Sequence, residues 1–141
     1  MTVTSLTLQA LLKSAAASLG LTGATPRSLG GLSAAAKSFV VAVASAESPV
    51  LVVVPTDGDI DQFVTDSRFF LGGLNGLSQH ALHQAVLPFP AHGVDPYRGL
   101  APHFEVSAAR GAVLFGLASR SVRLVVASAT ALLPRLSPPE R

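Results

Sequence analysis

The sequence predicts an α/β fold: a mostly parallel sheet in three layers, with helices on both faces. Three observations predict it. The runs PVLVVVP at 49–55 and VRLVVA at 122–127 are continuous and β-branched, as expected of strands buried on both faces of a parallel sheet. Several neighbouring stretches carry the apolar period of helices instead. Strands and helices alternate along 141 residues, enough for one domain with its own core and right-handed crossovers.

Each element has a local reason. Residues 6–19 place apolar side chains at 6, 8, 11, 12, 15, 16 and 19, a helical spacing, and Gly20 follows as its C-cap. Residues 21–27 form a turn-rich connector, and 28–32 the first short strand. A helix over 33–46 begins at Ser33, a good N-cap, and builds core with Phe39, Val40 and Val41. After the 49–55 strand, Thr56 caps a helix whose positive end carries Asp57, Asp59 and Asp61. Ile60, Phe63, Val64 and Phe70 form its core face, and Gly72-Gly73 end it. Residues 74–83 are irregular or a short helix, and 85–89 (AVLPF) a third strand. Residues 90–102 make a loop rich in proline and glycine. A helix over 104–118 presents Val106, Val113, Leu114 and Leu117 to the core. The fourth strand is 122–127, and 128–133 is a last helical turn stopped by Pro134. Residues 1–136 make the domain, and 137–141 start a linker.

Composition narrows the function. Apolar residues make up 49% of the chain and charged residues only 13%, which points to packing against something else. A net charge of +2 and arginines spread along the chain give no basic stripe for nucleic acid. The absence of cysteine excludes disulfides, thiolate catalysis and cysteine–zinc sites. No apolar run reaches the length of a membrane span, and the N-terminus shows no signal-peptide pattern. A cytoplasmic protein, with no membrane partner, is expected.

The sharpest motif is Gly31-x-x-x-x-Ala36-Lys37-Ser38, the spacing of a phosphate-binding loop with alanine in place of its second glycine. A working loop turns successive backbone N–H groups inward around phosphate. Ala34, Ala35 and Ala36 favour helix and poorly tolerate positive φ, so the helix is expected to start early and fill that nest. Neither Pro55-Thr56-Asp57 nor Ser128 supplies the paired acids that would hold magnesium. Gly31, Lys37 and Ser38 therefore read as an inactive nucleotide site, and no residue is assigned a catalytic role.

Other constellations carry less. Gly31-Leu32-Ser33-Ala34-Ala35 echoes a nucleophile elbow, with Asp95 and His103 following in hydrolase order, but it lacks the last glycine. His80, His83, His92 and His103 have no carboxylate at ligand spacing, so no metal is expected. Asp57, Asp59 and Asp61 miss the calcium-loop pattern and read as helix-dipole acids. The loop 92–103 holds Asp95, Tyr97, Arg98 and His103, and a loop of that length either lines a ligand site or packs against a neighbouring domain; the second is favoured. Arg110 is placed to brace it through Asp95 or Glu105, with Tyr97 and Phe104 as core anchors.

Three blocks together resemble the first domain of the bacterial transcription-repair coupling factors, the Mfd family. They are GLSAAAKSFVVA, VLVVVPTDGDIDQFVTDSRFFLG and, most specifically, FPAHGVDPYRGLAPHFEVSAARGAVLFGLASRSVRLVVASATALLPRL. The third is similar to that family's Pro-Tyr, Ala-Pro-His, arginine-bearing helix, valine-rich strand and closing Ala-Leu-x-x-Arg-Leu. The resemblance spans about residues 6–136 and implies a degenerate P-loop NTPase domain of the RecA/helicase-like type, related to the repair helicase UvrB. It implies a large ATP-dependent DNA translocase that displaces stalled RNA polymerase and recruits UvrA. In that family ATP and magnesium belong to distant motor domains, and this domain holds no cofactor. Its partners would be neighbouring domains of its own chain and, for the whole protein, UvrA, RNA polymerase and double-stranded DNA. Ala36 before Lys37, and Tyr97 as the one comparable aromatic in the loop, depart from UvrB towards the inert version. Such a scaffold should expose an uncharged apolar face where neighbours sit. The rival reading is an active ATPase or helicase half-domain binding nucleotide through Lys37; a small hydrolase comes third.

Overall fold

The computed structural model describes residues 7–21, 28–94 and 98–133. In chain order they form α1 (Leu8–Leu19), α2 (Ala34–Ala44), β1 (Val50–Val54), α3 (Ile60–Asn75), α4 (Gln79–Ala85), β2 (Val86–Phe89), α5 (Phe104–Ala118) and β3 (Leu124–Ser128). Single 3-10 turns at Asp57–Asp59 and Thr130–Leu132 follow β1 and β3.

The fold is α/β, with a parallel sheet of three strands in the order β1-β3-β2. Val126 of β3 lies between Val52 of β1 and Pro88 of β2. The sheet is one strand smaller than the sequence predicts. Residues 28–32 are not a strand: Gly31 turns there with φ +73°, and the segment pairs with nothing in the sheet. Two glycines and a serine in five residues leave too few side chains to hold a buried strand in place.

Helices cover both faces, but unequally. On one face Leu124 and Val126 join Val54, Ala42, Ile60, Val64, Leu71 and Leu82 in the larger core. On the other, Val125 and Ala127 join Phe89, Val113, Val122 and Ala131. The alternation of a strand sends successive side chains to opposite faces, so β3, apolar but for Ser128, is buried throughout. The β1–β2 crossover (α3, α4) uses the first face and the β2–β3 crossover (α5) the second. They travel in opposite directions, so both have the same hand.

Several local expectations are corrected by packing. Gly72-Gly73 do not end α3; the helix continues to Asn75, and Gly76 caps it at φ +65°. A side chain on Gly72 would run into Leu82 of α4, and one on Gly73 into Leu12 of α1. These glycines let two helices approach α3, which offsets their cost of about 1 kcal/mol each in a helix. In α5 the buried stripe is Arg110, Val113 and Gly116, while Leu114 and Leu117 are 43% and 47% exposed. The helix lies on β2, with Gly116 against Val122, and that contact turns the two leucines aside. Phe104 is 77% exposed and anchors no core. The connector at 22–27 and the tail from 134 fall outside the described residues.

Candidate functional site

The stretch with phosphate-loop spacing begins as an ordinary capped helix. Ser33 caps α2, its Oγ accepting from the Ala36 N–H at 3.2 Å. The Lys37 N–H donates to the Ser33 carbonyl at 3.0 Å. Two N–H groups that would cradle phosphate are thereby used inside the helix. Ser38, the magnesium-ligand position of the motif, is fully buried and donates to the Ala34 carbonyl at 3.4 Å. Lys37 is exposed beside a cavity of about 480 Å³ that Asp59 and Asp66 also line. Two carboxylates there oppose an anion. No strand leads into Ser33, so the strand–turn–helix of a nucleophile elbow is not formed either.

The acids after β1 do more than complement a dipole. Asp59 accepts from the Thr56 N–H at 3.1 Å and hydroxyl at 2.7 Å, fixing the turn out of the strand. Asp57 reaches across the sheet end: its two carboxylate oxygens lie 3.2 and 3.3 Å from the Ala91 N–H, just past β2. Asp61 remains in the first turn of α3.

Arg110 braces the loop after β2, but through carbonyls rather than Glu105. It is only 4% exposed; Nη1 donates to Pro90 O at 2.8 Å and Ala131 O at 3.2 Å. Its guanidinium carbon sits 3.9 Å from the Phe89 ring centroid. Nη2 is buried without a partner. Burial pushes the Arg110 pKa below the usual arginine value, and the charge of Asp57 opposes that fall. One cation thus ties β2's exit to β3's exit. Asp95 and Tyr97 lie outside the described residues; Arg98 is exposed.

The histidines are scattered. His80 and His83 share α4, and His80 lies 3.1 Å from Gln84. His103 caps α5, its Nδ1 accepting from the Glu105 N–H at 3.4 Å. Among the described residues no three His, Asp or Glu side chains converge as a metal site. No helix among them is long and apolar enough to cross a membrane.

The predicted site residues that the structure describes are not gathered into one place. Lys37 belongs to the α2–α3 side, Arg110 to the opposite face, and His103 to an exposed helix start. Sequence reasoning missed the Asp57–Ala91 bridge, which no spacing announces. The burial of Arg110 had a signal: the residue is four positions from Val106 and three from Val113, on one helical stripe. Comparison of the chain with protein-family models, with curated proteins and with solved structures finds no match in any of the three.

Proposed function

We propose that this chain is a non-hydrolysing scaffold and interaction domain of a transcription-coupled repair factor, docking on the rest of that protein through β1. One observation carries the docking role. Leu51 and Val53, on the second face of the sheet, are 55% and 52% exposed, although they belong to a five-residue apolar strand. The α5 helix lies on β2 and leaves that half of the sheet uncovered.

Among the described residues the backbone edge is open as well. Val50 donates to Arg123 O, and Val54 accepts from the Ala129 N–H, so the even residues of β1 face β3. Leu51 and Val53 then turn their N–H and C=O groups outward. The opposite edge is blunted by two devices: Pro88 has no N–H to offer, and Arg68 donates to Val86 O at 2.8 Å. An uncharged face beside an unpaired edge is what a neighbouring strand or helix would cover. The repair role rests on the three blocks that resemble the Mfd family, and the non-hydrolysing character on the closed α2 N-terminus.

Two measurements test the reading. Titration with a fluorescent ATP analogue and magnesium should give no saturable binding at millimolar nucleotide, for the parent and for Lys37→Ala alike. Saturable binding lost in Lys37→Ala would establish the ATPase alternative. Leu51→Lys with Val53→Lys, placed in the natural gene, should abolish preferential repair of transcribed strands after ultraviolet damage. Both sites are surface positions, so the isolated variant should keep its stability within about 0.5 kcal/mol. Unchanged strand preference in such cells would refute the role assigned to β1.

A further inference from the structure

The connections leaving the strands part company. After β1 the chain turns to the α3 face, where Ile60 enters the larger core. After β2 and β3 it turns to the other face, where Val113 and Ala131 are buried. Between β1 and β3, neighbours in the sheet, the outgoing loops therefore diverge. In open α/β sheets such a switch point opens a crevice at the carboxyl ends of the strands, where ligands bind.

That crevice is present as a cavity of about 810 Å³, and the exits of all three strands line it. Asp57 comes from beyond β1, His92 from beyond β2 and Thr130 from beyond β3. Val94, Leu100 and Leu133 supply apolar wall. The volume lies within the roughly 300–1,000 Å³ of small-molecule sites, and the mix of apolar wall with a few polar groups is also theirs. We propose that this cavity binds an uncharged, largely apolar molecule bearing an N–H or O–H donor.

The chemistry of the lining selects that class. The Asp57 side chain already accepts from the Ala91 N–H, and a carboxylate calls for donors. Its bond to Ala91 leaves lone pairs free on both oxygens. Among the described residues no lysine or arginine lines the cavity while the Asp57 carboxylate does, so an anion is disfavoured. A full cation is disfavoured too, because Arg110 already stands close enough to feel the charge of Asp57. His92 Nδ1 is buried with no partner, a second polar group awaiting one. The Arg110 clasp holds Pro90 and Ala131, the residues before Ala91 and after Thr130, so two walls of the cavity are fixed to each other.

This site is separate from the β1 face, and either proposal can fail alone. The test is an amide chemical-shift titration of the full chain with indole, 1-methylindole and inorganic phosphate. Indole should shift the Ala91, Val94 and Thr130 amides saturably. 1-Methylindole keeps the ring but lacks the donor, and should bind about tenfold more weakly, the loss of one hydrogen bond to a charged group. Asp57→Asn should shrink that preference. Leu133 is 79% exposed, so Leu133→Asp should leave the fold intact and abolish binding. Phosphate should not bind. The proposal is overturned by absent saturation, by equal affinity for the two indoles, by shifts centred on Leu51 and Val53, by saturable phosphate binding at these amides, or by unchanged indole binding in Leu133→Asp.

Discussion

Replacing Arg110 by methionine sets two large opposing effects against each other. Nη1 donates at 2.8 and 3.2 Å to the carbonyls of Pro90 and Ala131, and the guanidinium stacks 3.9 Å above Phe89. Hydrogen bonds from a charged donor contribute about 1.5–3 kcal/mol each, and a desolvated cation–π contact about 2 kcal/mol. One nitrogen serves both carbonyls, so the gross contribution is nearer about 5 kcal/mol than the full sum. Against it stands the cost of burying a cation at 4% exposure with Nη2 unpartnered and no carboxylate in ion-pair range among the described residues. Isolated buried charges are costly enough that apolar replacements of similar volume are often neutral or stabilising. Here methionine would also leave two carbonyls unpaired, at about 1–3 kcal/mol for each that stays dry. The expected result is a loss of about 2–3 kcal/mol in urea unfolding, with an unchanged denaturant slope. The Ala91 amide should also exchange faster with solvent, because the loop after β2 loses its tether. A methionine variant as stable as the parent would refute the reasoning and make Arg110 a net liability of the core.

Two further substitutions probe the helices. Gly116→Ala should destabilise the domain by about 1 kcal/mol, because overpacking exceeds the gain in helix propensity. Its new methyl would overlap Cγ2 of Val122, which is itself 3% exposed, and a rise in the urea midpoint would show that this neighbour yields. Ser33→Ala should cost about 1 kcal/mol through loss of the α2 cap, and Ser33→Asp should restore it, both measurable by thermal unfolding. Equal stability of the alanine variant would mean that α2 is held by tertiary packing alone.

The strand spans 49–55 and 85–89 and the helix 104–118 were legible because each is a long apolar or periodic run whose period survives any tertiary context. The early start of α2 was legible too, from three alanines behind a serine. The failed strand at 28–32 and the continuing α3 were not. Both turn on glycine, which is permissive alone and acquires meaning only from what lies beside it. Leu12 and Leu82 are remote in sequence from Gly72-Gly73, yet they decide that α3 runs on to Asn75.

By itself the sequence determined the α/β class, the parallel strands and the start of α2 at Ser33, since all three follow from local propensity and side-chain period. Only the tertiary structure decided which faces stay bare, which carbonyls Arg110 holds, and that Asp57, His92 and Thr130 meet at one cavity. Those outcomes depend on strand order. An order of β1-β3-β2 brings together residues more than 30 positions apart and sends their loops to opposite faces, and no local pattern of residues encodes that order.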